Sequence, residues 1–145
     1  MKSYFPDINV WIALTYRGHA HHPTAARWLD AIISEPVYFC RFTQLGFLRL
    51  LTNSRVMGHQ VRSQKDAWQI FDRWLTDARV AFHPEPLRLD PTFRALTQSS
   101  QPATGAWPDA YLAAVAKAAG LTLVTLDSGF CSFEGLDALV LQAGS

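Results

Sequence analysis

Apolar residues follow two spacings along the chain: short continuous runs, and stripes that repeat every three or four positions. The short runs are rich in β-branched and aromatic residues and predict strands at 3–5, 37–40, 80–82, 121–126 and 138–141. The stripes predict helices at 9–15, from 22 to about 33, and at 43–52, 63–77, 90–98 and 107–119. Because strands alternate with helices, we predict an α/β fold. We expect a three-layer α/β/α sandwich around a central parallel sheet of about four to five strands.

Local signals refine some of these elements. Pro6 cannot donate to a central ladder, so we place it at the last pairing position of the first strand. The apolar stripe of the second helix is predicted to be Ala26, Leu29 and Ile33. Thr43 is predicted to cap the third helix. Gln44 leads the stripe that continues through the leucines at 48 and 51, so its polar side chain is expected to point inward.

Composition indicates a globular chain without a membrane segment. Its 145 residues are 49% hydrophobic and 17% charged, which fits a single domain spanning 1–145. No apolar run approaches the ~20 residues of a membrane span, and Pro6, Asp7 and Asn9 interrupt any signal-peptide core. Cys40 and Cys131 lack metal or redox spacing and lie in apolar surroundings, so we expect buried free thiols and a cytoplasmic location.

Charge is unevenly distributed although the net charge is only +1. The stretch 36–65 contains no acidic residue. A basic band of this kind is a candidate phosphate-binding surface, and a solvated helix face is the alternative interpretation. The candidate phosphate-binding residues are Arg41, Arg49, Arg55, Arg62 and Lys65.

Three aspartates are expected to meet at one edge of the predicted sheet. Asp7 follows the first strand, Asp127 follows the strand at 121–126, and Asp109 opens the preceding helix, while Gln44 enters from the start of the third helix. Ligands bind at the carboxyl ends of the strands in open α/β sheets. Converging carboxylates repel one another unless protons or a cation join them, and Mg²⁺ or Mn²⁺ prefers oxygen ligands. Such an ion beside a basic band indicates hydrolysis of phosphodiester bonds.

The chain resembles the PIN-domain ribonucleases, and among them the VapC toxins of bacterial toxin–antitoxin pairs. Four stretches carry the resemblance in family order: FPDINVWIAL, FTQLGFLRLLTN, WPDAYLAAVAKAAG and LTLVTLDSGF. The resemblance implies an endoribonuclease dependent on Mg²⁺ or Mn²⁺ that cleaves a structured RNA such as tRNA or ribosomal RNA. It also implies a homodimer and a cognate VapB-like antitoxin. Asp7, Asp109 and Asp127 then occupy the positions of metal-binding acids, and Asn9 that of a polar residue steadying the first acid.

One position departs from the family pattern. The family commonly has Glu where this chain has Gln44, and glutamine keeps a carbonyl oxygen but carries no charge. The number of bound metal ions is therefore left open, and a non-catalytic PIN-fold binding module stays an alternative. A phosphoaspartyl enzyme or receiver-like domain with Asp7 as nucleophile is a further alternative, although Asn9 stands where related phosphatases have a second Asp.

Overall fold

The sheet is built from strands of three or four residues. The computed structural model describes residues 1–143, and within them five parallel strands form one sheet in the order β3-β2-β1-β4-β5. The strands are β1 (Tyr4–Pro6), β2 (Val37–Phe39), β3 (Val80–Phe82), β4 (Thr122–Thr125) and β5 (Ala138–Val140). The predicted three-layer sandwich and its parallel sheet are confirmed. Pro6 is the last residue of β1, opposite Val124, as predicted.

Six of the seven helices within residues 1–143 correspond to predicted stripes, whereas the fourth helix was not predicted. The helices are α1 (Ile8–Thr15), α2 (His22–Asp30), α3 (Arg41–Leu51), α4 (Ser54–Met57), α5 (Gln64–Leu75), α6 (Leu89–Leu96) and α7 (Trp107–Ala119). Short 3₁₀ turns occupy Gly58–Gln60, Thr104–Ala106 and Ser128–Ser132. Helix α7 ends at Gly120, whose φ of 69° is a left-handed conformation that glycine adopts without a Cβ penalty. None of the helices in residues 1–143 has the length and apolar character needed to cross a membrane.

Two hydrophobic cores lie on opposite faces of the sheet because side chains alternate along each strand. Val124 packs into a core with α1, α2, α3 and α5, whereas its neighbour Leu123 packs into a second core with α6 and α7. The first core contains an aromatic stack in which the rings of Trp11 and Phe39 lie 3.8 Å apart. The chain therefore runs from β1 to β3 with helices on one face and reaches β4 with helices on the other.

Strand order reverses between β1 and β4. The chain proceeds outward from β1 to β2 and β3 on one side, and from β4 to β5 on the other. At such a point the connecting segments leave in opposite directions and a crevice opens at the carboxyl ends of the two strands. This crevice lies beside Asp7, which directly follows β1, and near Asp127, which lies two residues after β4.

Three sequence-based expectations about local structure are wrong. The buried residues of α2 are Ala25 and Leu29, followed by Ile32, whereas Ile33 is 87% exposed because the helix ends at Asp30. Cys131 is exposed, since the 3₁₀ turn that contains it buries Phe130 instead. The third helix begins at Arg41, two residues earlier than predicted, so its N-cap residue is Cys40 and not Thr43.

Candidate active site

Asp7 is held in place from two sides. It is only 5% exposed and is the N-cap residue of α1, where its Oδ1 accepts a hydrogen bond of 3.0 Å from the Val10 N–H. Its own N–H donates to the Val124 carbonyl across the β1–β4 pair. N-cap residues typically have a short polar side chain and an extended backbone. Asp7, which directly follows β1, has both. The carboxylate is therefore fixed at the switch point by local sequence and by sheet pairing together.

Thr125 connects Asp7 with Asp127. The fully buried Thr125 hydroxyl donates to Asp7 Oδ2 at 2.6 Å and accepts from the Asp127 N–H at 3.0 Å. Asp127 itself is exposed, and its Oδ1 accepts from the Gly129 N–H at 2.8 Å. Sequence reasoning missed Thr125. A hydroxyl at the end of an apolar strand, two residues before an acid, was the signal that could have identified it.

The three predicted acids influence one another electrostatically. Burial raises the pKa of Asp7 from 3.8 to about 6, opposed by the hydrogen bonds from Thr125 and Val10 and reinforced by the charges of Asp109 and Asp127. The pKa of Asp109 is also raised, first by partial desolvation and then by the charge of Asp127. The charges of Asp109 and Asp127 thus act on Asp7, and the ionised forms of the three aspartates repel one another.

A cleft of about 350 Å³ opens beside this group. Asp7 and Asp109 both line it, together with Asn9 from the first turn of α1. Its other polar side chains come from the end of α3 and the loop beyond it, namely Arg49 and Asn53. The apolar part of its wall consists of Ile8, Phe42, Gly46, Leu50, Pro108, Leu112 and Phe130. Two carboxylates, two amides and a guanidinium therefore share one concave surface.

The oxygen donors at this surface suit a hard divalent cation. Asp7 and Asp109 supply carboxylate oxygens in the cleft, with Asp127 close enough to perturb both. Within residues 1–143, however, no three His, Cys, Asp or Glu side chains lie close enough to enclose a metal ion. The arrangement fits Mg²⁺ better than a fully protein-coordinated metal, because Mg²⁺ keeps several waters and binds through one or two carboxylates.

Gln44 is buried, as its place in the α3 stripe predicts, and it has a cationic partner. It is 7% exposed, and its Oε1 accepts a hydrogen bond of 2.6 Å from Arg41 Nη1. The cleft wall described above does not include Gln44. Thr43 is fully buried one position earlier, and its hydroxyl accepts from the Cys40 N–H at 2.9 Å. Thr43 therefore supports the first turn of α3, from inside the helix rather than at its cap position.

The basic band does not form one surface. Arg41 lies over the ring of Phe82, with its guanidinium carbon 4.9 Å from the ring centroid, and Arg49 lines the acidic cleft. Arg62 lines a different and larger groove of about 1090 Å³, between α1 and α5. Arg55 and Lys65 are exposed on α4 and α5. Among the predicted RNA-binding residues, Arg49 alone lies in the wall of the cleft that contains the acids.

Solved structures with this fold include several toxin–antitoxin assemblies. VapC20 of Mycobacterium tuberculosis, described as a toxin that cleaves the sarcin–ricin loop, superposes with a TM-score of 0.65 at 21% identity, covering 93% of this chain and 99% of that one. The VapBC2 complex of Rickettsia felis, bound to a fragment of its promoter DNA, gives a TM-score of 0.66 at 12% identity, covering 96% and 98%. At these identities the likeness shows a shared fold.

Sequence comparison gives closer relationships. The PIN domain family model matches residues 4–136. The ribonuclease VapC41 of Mycobacterium tuberculosis is 39% identical over 140 residues, which cover 93% of this chain and 96% of the relative. The ribonuclease VapC37 of the same species is 31% identical over 134 residues, covering 90% and 91%. The family model and these relatives each match most of the chain, and the chain therefore belongs to the PIN domain family and, within it, to the VapC ribonucleases.

Proposed function

We propose that the chain is a divalent-metal-dependent endoribonuclease that acts as the toxin of a toxin–antitoxin pair. The observation that carries the proposal is the buried Asp7 carboxylate, which lines a cleft together with Asp109 and is acted on by the charges of Asp109 and Asp127. Holding three mutually repelling acids in one place costs stability unless a cation or protons neutralise them. A nuclease that uses a bound cation gives these otherwise unfavourable charges a role.

The cation would be Mg²⁺ or Mn²⁺, held by Asp7 and Asp109 with Asp127 contributing directly or through water. When bound, such an ion activates water and stabilises charge on a phosphate. The residues of the chain orient the site: Thr125 and the Val10 N–H fix both oxygens of Asp7. Arg49 in the cleft wall supplies a guanidinium suited to an RNA phosphate, and Asn9 supplies a neutral polar group next to Asp7.

The proposed substrate is a structured RNA, such as tRNA or ribosomal RNA. Support comes from the family relationship and from the described target of VapC20, the sarcin–ricin loop. A VapB-like antitoxin is the proposed protein partner, because similar folds have been solved as VapBC complexes. A homodimer is proposed on the family resemblance, and sedimentation of the purified chain over a concentration series tests it.

The decisive experiment measures RNA cleavage by the purified protein with Mg²⁺ or Mn²⁺ and with EDTA, followed by sequencing of the product ends. We expect cleavage with metal only, and we expect Asp7→Asn and Asp109→Asn to reduce it to background. Asp72→Asn, an exposed aspartate of α5, is the matched control and should cleave like the parent. Full activity in either site variant would refute the assignment of the acids.

A non-catalytic binding module is the competing interpretation, and Gln44 in place of the family's Glu is the observation that favours it. Calorimetric titration with Mn²⁺ separates the two. A functional site should bind Mn²⁺ in the parent and lose most of that binding in Asp109→Asn. Equal and weak Mn²⁺ binding by parent, Asp109→Asn and Asp72→Asn, together with no cleavage, would support the binding module.

A further inference from the structure

An aromatic shelf borders the acidic cleft on the side of the α6–α7 core. We define it as Phe42, Phe93, Trp107 and Tyr111. Its rings contact one another in series: Phe42 and Tyr111 have centroids 5.3 Å apart, Tyr111 and Phe93 5.9 Å, and Phe93 and Trp107 5.9 Å. Phe42 also lines the cleft. The series therefore runs from the cleft wall to the molecular surface.

Trp107 is the exposed end of this shelf. Its side chain is 51% exposed at the first residue of α7, although tryptophan side chains are highly buried on average. The two residues that follow it, Pro108 and Asp109, both line the cleft. The same helical turn thus carries an acid that lines the cleft and, two positions earlier, a half-exposed indole ring.

The inner rings of the shelf are held more firmly than Trp107. Phe93 lies edge-on to both of its ring neighbours, with interplanar angles of 75° to Trp107 and 89° to Tyr111. The Tyr111 hydroxyl donates to Glu85 Oε2 at 3.2 Å, which anchors that ring at its far end. Phe42, Phe93 and Tyr111 are all partly buried against the α6–α7 core. Trp107 is therefore supported from below by fixed rings while much of its own surface stays free.

We propose that Trp107 is a stacking platform for an unpaired nucleobase of the RNA whose phosphate lies in the acidic cleft. The inference rests on the proposed ribonuclease function and specifies its substrate, an RNA with at least one unstacked base beside the cleaved bond. Aromatic rings stack on any base because every base has a π face, and such stacking tolerates different sequences. The continuity of the shelf with the cleft, and the cationic Arg49 within that cleft, favour a nucleic acid over an uncharged apolar partner.

Binding of a fluorescently labelled single-stranded oligoadenylate in EDTA tests the proposal without cleavage. We expect Trp107→Ala to weaken binding by about tenfold, the effect of removing one aromatic ring from a stacked base. Trp107→Phe keeps a ring and should retain most of the affinity while losing the quenching of indole fluorescence by RNA. Trp68→Ala is the matched control, because Trp68 is 48% exposed but lies on α5. It should bind like the parent.

An abasic oligonucleotide of the same length separates base stacking from phosphate binding. Parent and Trp107→Ala should bind it equally. If Trp107→Ala binds oligoadenylate as tightly as the parent, or loses the same factor for the abasic strand, the stacking role is refuted. A Trp107→Ala variant that changes sedimentation but not RNA affinity would assign the ring to an interface between copies of the chain. If the parent binds neither strand but cleaves RNA with Mg²⁺ or Mn²⁺, the stacking role is refuted and the proposed function stands; if it also fails to cleave, both fail.

Discussion

At the scale of single residues, Asp7 combines an unfavourable environment with firm positioning. Its carboxyl is buried, yet two donors, the Val10 N–H and the Thr125 hydroxyl, are aimed at its two oxygens. Hydrogen bonds of this kind favour the ionised form, but burial outweighs them and the pKa remains at about 6. Between about pH 4 and pH 6 the native state therefore holds a proton that the unfolded chain releases.

This difference predicts the pH dependence of stability in metal-free protein. A carboxyl whose pKa is raised on folding contributes stability that is present below its unfolded pKa and lost as pH rises through the folded value. We expect the free energy of unfolding in EDTA to fall between about pH 4 and pH 7. Asp7 contributes about 3 kcal/mol to this decrease, because each unit of its pKa shift corresponds to roughly 1.4 kcal/mol.

Urea unfolding of the parent and Asp7→Asn across this pH range measures that contribution. Asparagine can still cap α1, so the variant should fold, show a flatter pH profile and be at least as stable as the parent at pH 7. Asp72→Asn should keep the parent's profile. Parallel profiles for the parent and Asp7→Asn would show that Asp7 is ionised over the whole range and that its environment has been misjudged.

Gln44 gives a second prediction at this scale. A new carboxylate at this position would meet Arg41, which now donates to Gln44 Oε1, and the two charges would offset each other. In EDTA we expect Gln44→Glu to melt close to the parent. The double variant Arg41→Gln/Gln44→Glu should melt lower, because its carboxylate no longer has that partner.

Mn²⁺ binding gives the second readout for Gln44. The double variant should bind Mn²⁺ more tightly than Arg41→Gln alone, by roughly tenfold, the scale of one added charged interaction. Calorimetric titration and EDTA melting curves of the three variants measure both effects. If Arg41→Gln and the double variant have the same Mn²⁺ affinity and the same melting temperature in EDTA, Gln44 lies too far from the aspartates to influence them.

At the scale of elements, the contact between α1 and α3 sets the shape of the cleft. Gly46 lies on α3 beside Ile8 of α1, and a Cβ at position 46 would overlap Ile8 Cδ1 and Cγ1. Both residues line the cleft next to Asp7. The missing side chain at Gly46 therefore allows the first turn of α1, which Asp7 caps, to approach α3 closely.

Gly46→Ala should perturb the site more than the fold. Overpacking costs about 1–3 kcal/mol, whereas alanine gains about 1 kcal/mol over glycine within a helix. We expect a net loss of roughly 1 kcal/mol in urea unfolding and a larger fractional loss of RNA cleavage, because Ile8 must shift beside Asp7. Gly105→Ala, where a Cβ meets open space, should change neither. Unchanged cleavage in Gly46→Ala would show that Ile8 moves without affecting Asp7.

At the scale of the whole molecule, two concave surfaces divide the basic residues. The acidic cleft contains Arg49, and the larger groove contains Arg62 with Arg73. The sequence pattern groups Arg49 and Arg62 in one band because they are close along the chain. The fold separates them, since α3 ends between the two surfaces at Leu51, and Leu50 lines the cleft while Leu51 lines the groove.

This division predicts how salt affects RNA binding. Replacing Arg49, Arg55 and Arg62 together with Gln should weaken binding and reduce the log–log salt slope by about 0.7 for each phosphate that is no longer neutralised. Arg49→Gln alone should account for at least one phosphate, while Arg73→Gln in the larger groove should leave the slope unchanged. RNA affinity measured over a salt series for the triple variant, Arg49→Gln and Arg73→Gln tests these expectations. A parental slope in the triple variant would assign the basic band to a structural or antitoxin-binding role.

The sequence by itself determined the type and order of the elements and the candidate acids. Apolar periodicity is a local property, so the alternation of strands and helices could be predicted from it. Asp7, Asp109 and Asp127 could be identified because each lies just after a strand or at the start of a helix, and parallel strands bring those ends to one edge. The exact ends of the helices were not all predicted: Thr43, predicted to cap α3, lies inside the helix, and Cys40 is its N-cap residue.

Only the tertiary structure decided which of these residues act on one another. The strand order β3-β2-β1-β4-β5 pairs β1 with β4, and Thr125 thereby reaches Asp7 across 118 positions of sequence. Similarly, the aromatic shelf joins Phe42 to Trp107 through rings on two other turns of helix. Such contacts depend on how whole elements pack against one another. Because packing involves residues far apart in the chain, no short stretch of sequence predicts it.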